Sequence, residues 1–107
     1  MIVTDDDVSA ALAYLAAGGA ASAEAAHLAA ERARKRREAE VYLSVKAAVE
    51  ERKARVWMDN EYGDRQADAD EAKAELTKAK AMERHADKIC DVWRTENASA
   101  RAAEKMR

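Results

Sequence analysis

VYLSVKAAVEERKARVWMDNEYGDR, residues 41–65, is the stretch whose reading decides the fold. Tyr42, Val45, Val49 and Val56 recur in it at spacings of three, four and seven, the repeat of a coiled-coil seam. From Ser22, a plausible N-cap, to Asn60 neither Pro nor Gly interrupts the chain. The stretch closes on Asn60-Glu61-Tyr62-Gly63-Asp64, which offers turn chemistry and, in Asp64, a side-chain oxygen to start a new helix. Beyond it Ala72, Leu76, Ala79, Met82, Ala86, Ile89 and Trp93 continue at steps of three and four. Two long helices, over about 23–60 and 64–104, joined by so short a turn must lie antiparallel. A turn centred on Tyr62 and Gly63 makes facing residue numbers sum to about 125, which pairs Trp57 with Ala67, Val49 with Leu76 and Arg32 with Trp93. The seam weakens toward its start, where Lys35 and Glu38 occupy the extrapolated positions.

Working back from that hairpin, Thr4 followed by Asp5, Asp6 and Asp7 is a helix start: a capping hydroxyl, a carboxylate three residues on, and negative charge at the positive end of the dipole. Val8, Ala11, Leu12 and Leu15 then share a face, and Gly18-Gly19 ends a helix of about 5–17. The expectation is an all-α chain, 1–107 as a single helical domain. It comprises a short N-terminal helix followed by a long antiparallel, coiled-coil-like hairpin, assembled into a multi-helix bundle.

Composition agrees with long helices. Of the 107 residues 49% are hydrophobic, but 28 of them are Ala, which leaves only 24 larger apolar side chains for a core. With 37% charged residues and no Pro or Phe, sandwiches, barrels and Gly-rich phosphate-binding folds are excluded. A lone hairpin buries little surface, so either the N-terminal helix folds back as a third member of the bundle or the hairpin pairs with another copy, and of the two a homo-oligomer is expected. The net charge of -2 provides no uniform field for nucleic acid or membrane, and any such binding must come from a local cluster. One Cys cannot form an intramolecular disulfide, and MIVTDDDVSAAL lacks the basic start and apolar run of a signal peptide, which points to the cytoplasm. No window approaches the roughly 18–20 apolar residues of a membrane span, so no membrane partner is expected.

One cluster stands out. Arg32-Ala33-Arg34-Lys35-Arg36-Arg37 holds five cations in six residues and could grip phosphates or an acidic surface. The plain alternative is a solvated face neutralised by Glu31, Glu38 and Glu40 through helical ion pairs. The expected register brings Trp93, Arg94 and Arg101 to the same end, making Arg32, Arg34, Arg36, Arg37, Trp93, Arg94 and Arg101 the candidate contacts for a partner or nucleic acid. Trp93 can instead complete the seam begun by Ala86 and Ile89, and Trp57, beside Val56 and Met58, reads as apical core. His85, Asp87, Cys90 and Asp91 carry metal-capable atoms, but Asp87 and Asp91 are the only pair spaced i, i+4. No metal, cofactor or catalytic residue is therefore expected. The carboxylates alternate with cations as solvated flanks do, and the chain reads as non-enzymatic.

The segments VTDDDVSAALAYL, VYLSVKA, ERKARVWMDNEY and ICDVWRTENASARAAEK resemble those of small helical proteins encoded by bacteriophages and prophages. The recurrent mark of that group, I-x-x-W-R-T-x-x-A-x-x-R-A, is held by Ile89, Trp93, Arg94, Thr95, Ala98, Arg101 and Ala102, with Val92 adding one residue to the spacing. The resemblance implies a phage origin, the cytoplasm of a bacterial host, and an accessory role near recombination or early functions. Three readings follow: an accessory protein that engages a phage recombination protein or DNA through the basic end; an inhibitor that masks a host defence protein with Asp5, Asp6, Asp7, Asp64, Asp68, Asp70 and Glu71; and a structural assembly module sensitive only to core changes such as Val49→Asp.

Overall fold

A computed structural model describes residues 2–105, and every element in it is helical: α1 (Asp5–Ala17), α2 (Gly19–Ser44), α3 (Val49–Met58) and α4 (Asn60–Lys105). The all-α fold, with a short N-terminal helix ahead of long helices in antiparallel pairing, is as the sequence indicates. α1 has the expected bounds and cap. Thr4 Oγ1 accepts from the Asp7 N–H at 3.2 Å while the Asp7 carboxylate accepts from the Thr4 N–H at 3.0 Å. Gly18 ends the helix in the left-handed conformation, φ 66°, and its N–H donates to the Leu15 carbonyl. α2 resumes at once, so Ser22 lies inside a helix rather than capping one.

The expected helix over 23–60 is two helices, and the expected turn at Tyr62-Gly63 is helical. α2 ends at Ser44, whose hydroxyl donates to the Val41 carbonyl at 2.8 Å and so competes with the backbone ladder. After the irregular residues 45–48, Ala48 starts α3 from an extended conformation with no side-chain cap. The break is stabilised by packing: Val56 of α3 returns onto Val41 and Tyr62, with Tyr42 alongside. Asp59 makes the second break. It is extended, φ -74° and ψ 121°, and its carboxylate caps α4 by accepting the Tyr62 N–H at 2.8 Å. Gly63 then donates to the Asp59 carbonyl at 3.1 Å as an ordinary helical residue.

Two compact units result. The first takes the chain up to Ala20 together with the stretch from Lys78 onward; the second is Ala21–Thr77. In the first, α1 lies antiparallel to the C-terminal part of α4. The Val3 N–H meets Glu96 at 3.5 Å, the Trp93 indole N–H donates to Asp5 at 3.3 Å, and the Tyr14 hydroxyl donates to the Ala79 carbonyl at 3.1 Å. Ala11, Ala86 and Cys90 form its buried centre, with Tyr14, Leu15 and Ile89 against them. Val8 is buried and Leu12 is exposed, so the α1 face runs through Val8, Ala11 and Leu15.

In the second unit α2 lies antiparallel to the start of α4, as the pairs Arg34–Tyr62 and Arg37–Asp59 require. Those numbers sum to 96, not to about 125, because the chain reverses through 45–59 rather than at Gly63. The inward positions of α2 are Ala23, His27, Ala30, Arg34, Arg37 and Val41, a strict alternation of four and three. This seam is offset by one residue from the extrapolated Lys35 and Glu38, both of which are exposed. On α4 the positions Ala69, Ala72 and Leu76 carry it, as the periodicity from Ala72 onward predicts. Two further expectations fail at α3. Val49 is 51% exposed and Trp57 is 73% exposed, since α3 turns Val56 inward and presents its other faces to solvent.

Candidate functional site

Helical geometry splits the basic run in two. At 100° per residue, Arg34 and Arg37 point to one side of α2 while Arg32, Lys35 and Arg36 fall within a sector on the other. The inward pair is held by acidic and hydroxyl partners, although the buried Nε of Arg34 finds none among the described residues. Arg37 binds Asp59 through two parallel bonds, Nε to Oδ2 at 2.8 Å and Nη2 to Oδ1 at 2.9 Å, and its Nη1 lies 3.2 Å from Glu61 and 3.5 Å from Glu40. The guanidinium and the Tyr62 N–H hold the Asp59 carboxyl down to about 2, and Asp59 pushes the Arg37 acidity the opposite way.

Arg34 donates to Glu31 at 2.9 Å and to the Tyr62 hydroxyl at 3.3 Å, and lies 3.7 Å from Glu38. Tyr62 passes the network on, its hydroxyl donating to Gln66 at 3.3 Å, and Gln66 in turn reaches Asp70 at 3.4 Å. The hydrogen bond from Arg34 holds the Glu31 carboxyl below its ordinary range. His27 approaches the other oxygen of Glu31 at 3.9 Å.

These pairs also fix the flanking acids. Glu31, Glu38 and Glu40, which could have neutralised the whole run, each pair with Arg34 or Arg37. Among the described residues, every ion pair made by the run belongs to those two arginines. Arg32, Lys35 and Arg36 are left exposed, at i, i+3 and i+4 on one face. Lys35 was not among the candidate contacts read from sequence; the helical angle between it and Arg32 was the signal that could have added it.

The remaining candidates sit in the first unit. Trp93 is half-buried with its N–H on Asp5, so its ring serves the α1–α4 packing. Arg94 is exposed and pairs with Asp91 at 3.1 Å, and Arg101 is exposed near the end of α4. The expected meeting of Arg32 with Trp93 depended on a turn at Gly63 that does not occur, and the seven candidates divide between the two units. Cys90 is buried in the α1–α4 centre. Among the described residues no group of three or more His, Cys, Asp or Glu side chains could hold a metal ion, and no helix is long and apolar enough to cross a membrane.

In the second unit Trp57 stands edge-on to Tyr62, ring centres 5.9 Å apart at 83°, and the Arg52 guanidinium lies 5.2 Å over the Tyr42 ring. These contacts clamp α3 onto the α2–α4 pair. The chain matches no protein-family model, no curated protein and no solved structure.

Proposed function

We propose that this protein is a non-enzymatic accessory protein of phage origin that acts in the host cytoplasm as a homo-oligomer and binds nucleic acid through the outward cations of α2. One observation carries the reading. The carboxylates next to the run are consumed by Arg34 and Arg37, so Arg32, Lys35 and Arg36 present three adjacent positive charges with no acidic neighbour bonded to them. Side chains at this spacing are neighbours along a helix face and can contact successive phosphates of one strand. The resemblance to phage-encoded helical proteins supports the setting.

The test is fluorescence anisotropy with labelled single- and double-stranded DNA across a salt series. Three phosphate contacts give a log–log salt slope of about -2 to -3. The triple variant Arg32→Glu/Lys35→Glu/Arg36→Glu is expected to abolish binding and leave the helical circular dichroism unchanged. No binding of the wild type at low salt, or undiminished binding by the triple variant, overturns the proposal. Reversal of Arg37 is unsuitable for this purpose, because it breaks the bond to Asp59 that organises the start of α4.

A further inference from the structure

We infer that the groove between α1 and α4 in the first unit is the surface through which two copies of this chain associate, forming an antiparallel four-helix bundle about a two-fold axis. The groove has a volume of about 560 Å³ and is lined by Ala10, Ala11, Tyr14, Met82, Ala86 and Ile89, with Asp7 and Lys78 at its two ends. The inference rests on the reading of the protein as a homo-oligomer and says where the copies meet.

Three observations select a second copy as the occupant. The first is energetic. Among the described residues of this unit the buried side chains are Val3, Val8, Ala11, Ala20, Ala86 and Cys90, and no large one is fully buried. A pair of helices with so thin a core depends on apolar cover from outside. Cover required for folding must be present wherever the chain is made, and another copy meets that condition.

The second is chemical. A small-molecule pocket fixes its ligand with a few convergent polar groups. Here the Tyr14 hydroxyl is already spent on the Ala79 carbonyl, and the rest of the wall is largely apolar. Such a face suits interdigitating side chains. On α4 the lining runs Lys78, Ala81, Met82, His85, Ala86 and Ile89, positions three and four apart that share one face of the helix as bundle seams do.

The third is electrostatic. Lys78 and Ile89 mark the two ends of the α4 wall, roughly 16 Å apart at 1.5 Å per residue. Asp7 lies at the Ile89 end, because the antiparallel pairing puts Asp5 on Trp93 and Tyr14 on Ala79. A two-fold axis across the middle of the groove superposes the acidic end of one copy on the basic end of the other, twice. A parallel arrangement would stack like charges, so the end charges select the antiparallel dimer.

Analytical ultracentrifugation over a concentration range tests this on the full chain. The wild type is expected to sediment as a dimer that dissociates on dilution. Met82→Glu, at a position already 46% exposed in one copy, should weaken dimerisation at least 100-fold. A double-mutant cycle keeps the test independent of folding damage. Lys78→Glu should weaken the dimer, and adding Asp7→Asn, which retains an acceptor for the Thr4 N–H, should restore part of the loss. The two sites lie at opposite ends of one groove, so coupling between them arises only across copies. A wild type that stays monomeric at high micromolar concentration overturns both this surface and the oligomer. An oligomer indifferent to Met82→Glu, or additive effects in the cycle, overturns this surface and leaves the oligomer to be sited elsewhere.

Discussion

Replacing Gly63 by Ala tests where the chain reverses direction, and its sign separates the two architectures. A hairpin turn built on Gly63 would use a left-handed conformation, where a Cβ costs about 1–2 kcal/mol, so Ala there would destabilise. In the structure Gly63 is helical: its N–H bonds to the Asp59 carbonyl at 3.1 Å, and positive φ among the glycines is confined to Gly18. A Cβ added at Gly63 meets no atom within 4 Å, so no steric term opposes the change. What remains is the backbone entropy that glycine loses in a helix, roughly 0.5–1 kcal/mol relative to Ala. For a chain of this size that gain raises the thermal midpoint by about 2–6 °C. The assay is thermal and urea unfolding followed by circular dichroism at matched protein concentration, since self-association would make the midpoint depend on concentration. A midpoint lowered by the substitution, with an unchanged urea slope, would refute the helical assignment of Gly63 and return the turn to that residue.

The opposite sign is expected one helix earlier: Gly18→Ala, at φ 66° in open space, should lose about 1–2 kcal/mol from backbone conformation alone, and an unchanged melting curve would contradict that. Val56→Asp, at a site 5% exposed, should cost about 3 kcal/mol or more, whereas Val49→Asp at 51% exposure should stay under about 1 kcal/mol; equal losses would place α3 wrongly. Acid titration should show a contribution from Asp59. Its carboxyl is lowered from 3.8 to about 2 in the folded chain, so the stability it supplies is fully present above pH 4 and disappears as the pH falls toward 2. Asp59→Asn should flatten that segment of the stability profile, and acid-unfolding curves of the same shape for both proteins would remove Asp59 from the account.

The long helices were legible because Ala, charge and spacing all favour them, and α1 was legible to its last residue because both its ends carry strong signals, the Thr4–Asp7 box and Gly18. The reversal was not, since local rules gave it to the wrong residue. Gly63 is the only glycine after Gly19, and it attracts the turn in any reading by composition. The actual break at 45–48 contains Val, Lys and two Ala, none of which stops a helix; it exists because Val56 gains cover from Val41 and Tyr62 by folding back. Asp59 did carry a signal, an N-cap type residue ahead of an acidic first turn, but Asp64 offered the same chemistry beside the glycine. The displaced turn then moved the register, and with it the set of residues expected to share an end.

The helical period gives the basic run two faces, one turned to the seam and one to solvent. Between Ala23 and Ala30 the inward face of α2 offers mostly Ala, and Ala seams slide past one another with little preference for register. Direction has to come from elsewhere, and the two-bond contact of Arg37 with Asp59 and the donation from Arg34 to Tyr62 supply it, because each is satisfied in one alignment only. Holding two arginines at a partly dry seam requires anions, so Glu31, Glu38, Glu40, Asp59 and Glu61 are drawn to it. The helical period then leaves Arg32, Lys35 and Arg36 on the far side, exposed and without a close ion-pair partner among the described residues. Alignment of the helices and availability of the outward charge are therefore consequences of one arrangement, which is why reversing the outward three should silence the proposed binding without loosening the fold, while reversing either inward arginine should disturb both.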